Sequence, residues 1–392
     1  HSSLILDGIR ATIGTGLHLA RAGIVQQVLQ QVAASQIVLV SGAAGSGKSS
    51  IAKDVAQSLA ADHFVFAFRA EEFATPHFDD TLSRSQIPAR AALLGAVLAS
   101  QGRKVMFVES VERLLEASTR DAFTDLLTLV AKDPTWRVVL TCRDYSTELV
   151  RTAFLAGAAP GTVVQVPPLD DEELQAVETA NPSLTYPLTS GTLRRLLRNP
   201  YVLDKALQVS WPAKDPLPQS EREFRRHVWR DIVRAEHHNA AGMPQRRESI
   251  FVQVALRRAR ALTLYAPCTD LDPEAIGALR RDSLVVSSEG AVAYLAPAHD
   301  VLEDWAILQW IEEQHVVADG SIRALSSAIG TYPAVRRTYR NWVAELVDRD
   351  NEAADQLFRA VIQDSDLSAQ FRDDTIISLL RSSEPPPFQW TP

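Results

Sequence analysis

Cysteine is scarce in this chain: 392 residues hold two, Cys142 and Cys268, and neither stands in a pair with metal-ligand spacing. That excludes a disulfide framework and a structural zinc site, and it points to a reducing, cytoplasmic setting. Long apolar runs are missing too. The most apolar stretch, 91–99, is too short to cross a bilayer and has Arg90 at its edge, so neither a membrane span nor a signal peptide is expected. Positive charge is in deficit, with 40 Lys and Arg against 48 Asp and Glu and a net charge of -8. Such a balance argues against a nucleic-acid coat or an anionic membrane surface. There is no initial methionine: the chain opens on His1-Ser2-Ser3 and its last residues include Glu384-Pro385-Pro386-Pro387. Both ends are expected to be cuts from a longer protein.

What is present is an ordinary globular composition, 46% apolar and 22% charged, in a chain long enough for several domains. Residues 1–168 alternate short β-branched runs (36–41, 64–68, 105–109, 137–141 and 162–166) with segments of helical periodicity such as 51–59 and 89–98. Strand–helix alternation predicts a parallel sheet with helices on both faces. After Pro167-Pro168 the texture is helical through 169–218, with helices at 172–178, 193–197 and 201–209 and a proline-rich linker at 211–218. Helices at 221–237, 250–262 and 273–280 precede two strand-like runs, 283–286 and 292–295, with a hairpin turn at 287–290. Helix, helix, hairpin is the order of a winged-helix domain, expected over 219–312. Residues 313–392 read as further helix, the possible start of a sensor array. No fixed-period repeat is present.

The strand at 36–41 runs into Gly42-Ala43-Ala44-Gly45-Ser46-Gly47-Lys48-Ser49, a complete GxxxxGK[ST] pattern between an apolar strand and an amphipathic helix. Glycines at Gly42, Gly45 and Gly47 let backbone N–H groups turn onto phosphate oxygens where a side chain would collide. Ser46 and Ser50 lie on the same cradle, and the helix that follows offers the positive end of its dipole. Lys48 is expected to reach the β- and γ-phosphates of ATP, and the Ser49 hydroxyl to join a Mg2+ shell.

A second apolar strand ends in Glu109, with Glu112 three residues on. A carboxylate at such a strand end holds Mg2+ or its water, and a second one nearby polarises the attacking water. The alternative for both is acidic residues at a helix start, favoured by the dipole. Arg143, after the strand at 137–141, either senses the γ-phosphate or pairs with Asp144. Cys142 reads as a small buried residue. The arginines at 257, 258, 260, 280 and 281 read as solvated helix faces or phosphate contacts rather than a DNA surface.

Together these residues resemble the STAND class of signal-transduction NTPases, with its NACHT and apoptotic-ATPase-like switches, over about residues 15–312. Residues 105–112 are similar to the family's acidic strand, with Glu109 where Asp is usual. Thr141-Cys142-Arg143 is similar to its arginine sensor, and Leu169-Asp170-Asp171-Glu172-Glu173-Leu174 to the cap of its helical domain. Asn199-Pro200-Tyr201-Val202-Leu203 resembles its proline motif, and Ala298-His299-Asp300 its Met-His-Asp motif. The resemblance implies that Pro200 lies against the adenine and that His299 contacts the β-phosphate of ADP; a helix cap is the other reading of His299. Arg113 stands where many members have a second acid, which implies slow turnover.

The fold expected is an α/β P-loop NTPase domain (1–168), a small helical domain (169–218), a winged-helix domain (219–312) and a helical segment (313–392). The function expected is an ATP/ADP switch with slow ATPase activity that forms homo-oligomers when a trigger is sensed by parts outside the chain. The resemblance places it in bacterial antiviral defence. A transcription regulator of the same class and an AAA+-like motor or chaperone are the rival readings.

Overall fold

The computed structural model describes residues 1–14, 16–87, 91, 94, 95, 102–115, 117, 119–156, 161–212, 216–236, 242–288 and 291–381. The chain divides into two compact units, His1–His237 and His238–Pro392. The division falls inside the expected 219–312 segment.

In the first unit a two-stranded antiparallel ribbon, β1 (Thr12–Ile13) and β2 (Leu17–His18), precedes the main sheet. That sheet has five strands: β3 (Ile37–Gly42), β4 (His63–Arg69), β5 (Arg103–Glu109), β6 (Trp136–Arg143) and β7 (Thr162–Gln165). They are all parallel, in the order β4-β5-β6-β3-β7. Each grew from a β-branched or aromatic run, and the period-2 alternation of a strand sorts their side chains between two cores. Ile37, Leu39, Met106, Val108, Val138 and Leu140 join one core, with Phe73, Phe78, Phe123 and Leu126 from the helices over that face. Val38, Val40, Val105, Phe107 and Val139 join the other, with Val28 and Val32 of the helix Ala22–Ala34 and Ile51 and Val55 of the helix Lys48–Leu59. Parallel strands put all their carboxyl ends at one edge, where open α/β sheets bind ligands. The expected helix at 89–98 lies mostly outside the described residues.

The rest of the first unit is helical. Asp170 caps Asp171–Ala180 by accepting from the Glu173 amide, with the Glu173 side chain returning to the Asp170 amide. Ser190 caps Gly191–Leu196, and Asn199 caps Pro200–Ala206. The expected helix at 221–237 is α-helical over Glu221–Val228 and widens into a π-turn at Trp229–Arg234. Ala235 ends it in the left-handed region, φ 48°.

The second unit begins with the helices Met243–Ala261 and Pro273–Arg281. They accompany a three-stranded antiparallel sheet of β8 (Ala266–Pro267), β9 (Val285–Ser288) and β10 (Ala291–Pro297), in the order β8-β10-β9. Ser287 and Ser288 are strand residues instead of turn residues; Glu289 and Gly290 lie outside the described residues. Five helices follow: Asp300–Ala318, Ile322–Ile329, Pro333–Arg349, Asn351–Gln363 and Ala369–Arg381. Among the described residues no helix is long and apolar enough to cross a membrane.

Candidate nucleotide site

The loop leaving β3 has the backbone its glycines predict. Gly45 and Gly47 adopt φ of 77° and 91°, a region in which a Cβ is strained. A Cβ on Gly42 would also lie 2.8 Å from Ser46 Oγ and 2.9 Å from the Val166 carbonyl. Gly47 is the N-cap of the helix Lys48–Leu59. The first amides of that helix, from Lys48 through Ser49 and Ser50, lack i−4 partners and form the anion-facing end. The Lys48 ammonium donates to the carbonyls of Gly42 (2.8 Å) and Ala43 (2.7 Å), which carries it back across the loop. Burial lowers its pKa, opposed by the negative charge of Glu112.

β6, beside β3, and β5, the next strand out, bring the other polar groups to the same edge. Arg143, the last residue of β6, stands opposite Gly42 in register. Its Nε is 3.6 Å from Glu112 Oε1, and both side chains are more than nine-tenths buried. Glu112 Oε2 is buried without a hydrogen-bond partner among the described residues. Burial raises the Glu112 pKa, with Arg143 as the main opposing influence. Between Glu109, at the end of β5, and Glu112 the chain turns through Ser110 at φ 57°, unusual for a residue with a side chain. The Ser110 amide donates to Thr141 Oγ1 at 2.9 Å, which holds that turn against β6. Such strain at a strand end is a common property of functional sites.

Arg113 pairs with Glu71 at 2.8 Å. Cys142 is fully buried, and its thiol is pushed up to about 11 by burial; at neutral pH it is a protonated core group and not a nucleophile.

The helical part of the first unit meets the loop directly. Asn199 Nδ2 donates to the Ala44 carbonyl at 2.7 Å, and the Tyr201 amide to the Gly45 carbonyl at 3.2 Å. Pro200 lies beside the loop, its Cγ 3.9 Å from where a Gly47 Cβ would stand. From the other side Arg21 bonds Glu173 at 2.8 Å and reaches the Ser46 carbonyl at 3.5 Å. The loop, Glu109, Glu112, Arg143 and Pro200 are thus gathered in the first unit. His299 belongs to the second, where it caps Asp300–Ala318: its Nδ1 accepts from the Val301 amide at 3.1 Å. That bond leaves the proton of a neutral ring on Nε2. Motif reading missed Arg21 and the bonds made by Asn199, because no spacing rule links them to the loop.

The residues fit a nucleotide and its metal. The glycine-lined turn has room for phosphate only where Cβ atoms are missing, the Lys48 ammonium lies on its carbonyls, and Arg143 stands opposite Gly42 in register. Mg2+ bound to nucleotide needs few protein ligands, since waters and phosphates complete its shell. Ser49 and Glu109 would hold it; among the described residues no cluster of three or more acidic, His or Cys side chains forms a dedicated cage.

A parallel sheet ordered with β6 between the loop strand and the acidic strand, and a GxxxxGKS turn leading into a helix, define a P-loop nucleotide-binding protein. Residues 14–204 match the family model described as Novel STAND NTPase 1, and the chain fits a STAND-class P-loop NTPase. No curated protein matches the chain. Among solved structures it is similar to a Walker-type ATPase of Pyrococcus abyssi at 13% identity and TM-score 0.38, covering 77% of this chain and 99% of that one. The Aeropyrum pernix Orc1 protein in complex with DNA follows at 13% and 0.37, covering 78% and 96%. AMPPCP-bound DnaA from Aquifex aeolicus stands at 13% and 0.34, covering 91% and 97%. Nothing about this chain's ligands or partners follows from similarity at that level.

Proposed function

We propose that the protein is a nucleotide-operated switch: ADP with Mg2+ holds a resting state, and exchange for ATP together with a trigger lets copies self-associate. Bacterial antiviral defence is the setting proposed for it. The observation that carries this reading is the seat of Asn199, Pro200 and Tyr201 on the phosphate loop. A nucleotide held there touches the sheet and a helical element outside it, which is the minimum a nucleotide needs to report its identity to the rest of a chain.

In this reading Gly42, Gly45, Ser46, Gly47, Lys48, Ser49 and Ser50 hold the phosphates and Arg143 senses the γ-phosphate. Pro200 lies against the adenine. Ser49 and Glu109 hold Mg2+, which screens phosphate charge when bound. Glu112, ionised, accepts a proton from the attacking water. His299 as a contact of the ADP β-phosphate, and β8–β10 with their two helices as a winged-helix domain, belong to the same proposal. Hydrolysis is slow because Arg113, engaged by Glu71, supplies no second acid.

Steady-state turnover and light scattering with ADP and with ATP test the reading. It expects turnover below about 1 per second, the low end of typical enzymes, and, before any trigger adds to it, a larger share of associated species with ATP than with ADP. Fast turnover with the same size in either nucleotide contradicts it and favours a motor.

A further inference from the structure

A loop that turns its N–H groups inward onto an anion turns its carbonyls outward, and each outward carbonyl needs a donor. Here the carbonyls of Gly42 and Ala43 accept from Lys48 Nζ, and that of Gly47 from the Ile51 amide at 3.0 Å. These donors lie in the loop and its own helix. The three carbonyls between them are held from elsewhere: Ala44 by Asn199 Nδ2, Gly45 by the Tyr201 amide, Ser46 by Arg21. The Ala44 bond is the shortest of the three, at 2.7 Å, and its donor stands 155 positions further along the chain.

Asn199 uses both ends of its amide. Oδ1 accepts from the amides of Tyr201 (3.1 Å) and Val202 (3.3 Å), which starts the helix Pro200–Ala206, while Nδ2 grips the loop. The fit is close: a Cβ on Gly45 would stand 2.7 Å from Asn199 Oδ1 and 2.8 Å from Tyr201 Cβ. A trans peptide is planar, with its C=O and N–H on opposite sides. Fixing the Ala44 carbonyl toward Asn199 therefore aims the Gly45 N–H away from Asn199, to the other side of the same peptide.

We infer that Asn199 is a positioning residue of the phosphate cradle, setting the Ala44–Gly45 peptide so that the Gly45 N–H faces the phosphates; the inference rests on the nucleotide reading above. Asn199 touches no phosphate itself. The coupling is reciprocal: whatever Asn199 does for phosphate binding, phosphate binding does for the docking of the helix start.

Asn199→Asp separates the two ends of the side chain. It keeps the acceptor that caps the helix and places an acceptor where the loop needs a donor. The full chain is titrated with ADP, inorganic pyrophosphate and adenosine. The inference expects ADP and pyrophosphate affinity to fall about tenfold or more, because a bond is lost and a carbonyl is left facing an oxygen. Adenosine affinity stays near wild type, and the melting temperature without nucleotide falls by no more than the loss of that one bond. A role confined to capping, which Asp retains, would leave the pyrophosphate-to-adenosine ratio unchanged; that result overturns the inference, as does ADP binding by the variant within twofold of wild type. A wild-type chain that fails to bind ADP overturns the nucleotide reading itself. A second measurement needs no variant: hydrogen exchange of the wild-type segment 199–203 is expected to slow with pyrophosphate, and unchanged exchange there overturns the inference.

Discussion

Buried charge at the carboxyl edge of the first unit's main sheet is held differently from buried charge in the second unit. In the second unit it is paired off. Arg247, almost fully buried, meets Asp282 at 2.7 Å; Arg258 meets Glu303 and, at 3.5 Å, Asp300; and Arg336 and Arg340 share Asp374 at 2.6 and 2.9 Å. In the first unit, at the carboxyl edge of the sheet, Glu112 has a loose ion pair on one oxygen and, among the described residues, no hydrogen-bond partner on the other. The half-buried ammonium of Lys48 rests on two backbone carbonyls. Buried polar groups are normally satisfied, so an unsatisfied carboxylate oxygen close to the phosphate loop is a candidate for chemistry. The contrast agrees with the proposal that the first unit carries the chemistry, the paired charges of the second holding its fold.

Substitutions can break that contrast. The largest effect is expected from Lys48→Ala. ADP affinity falls at least about 100-fold, since charge-assisted hydrogen bonds are worth about 1.5–3 kcal/mol each and the ammonium makes more than one. A fluorescence titration checks it, and near wild-type affinity would dissolve the P-loop assignment. Glu303→Ala should do the reverse. It removes the carboxylate that the buried Arg258 guanidinium meets and destabilises the second unit by about 3 kcal/mol, while ADP affinity is unchanged; urea unfolding and the same titration read both.

Glu112→Gln comes next, with turnover lowered about 100-fold and ADP affinity within a few-fold of wild type. Its pH dependence has a definite sign. A base works ionised, and burial raises the Glu112 pKa, so wild-type turnover falls as pH drops, through a midpoint above the ordinary glutamate range. A rate that is flat to pH 4.5 would remove Glu112 from the role of base. The smallest effect is expected from His299→Ala, about tenfold on ADP affinity and less on ATP, equal to one hydrogen bond to a charged group. Equal loss for both nucleotides, or none, would leave His299 as the helix cap it forms in the second unit.

How much of this was legible in the sequence follows the same division. The five strands of the main sheet were readable because each is a run rich in β-branched or aromatic residues, and the three central ones are buried on both faces. The loop was readable because only glycine suits Gly42, Gly45 and Gly47. What escaped was made by tertiary contact. The ribbon at Thr12–His18 is held by the Gly14 amide donating to Asp204 at 3.0 Å, and by Arg10 paired with the same carboxylate, a partnership no local pattern announces. Asn199 read as part of a proline motif, yet its bond to Ala44 depends on the folded position of a distant turn. β8 is two residues long and carries Pro267, too little signal to stand apart from a loop.

The central claim, that the first unit binds nucleotide through its phosphate loop, is tested most directly by calorimetric titration of the wild-type chain with ADP and magnesium. The account predicts one site per chain, competed by pyrophosphate and absent in Lys48→Ala. No heat of binding, or binding that survives in Lys48→Ala, would contradict it.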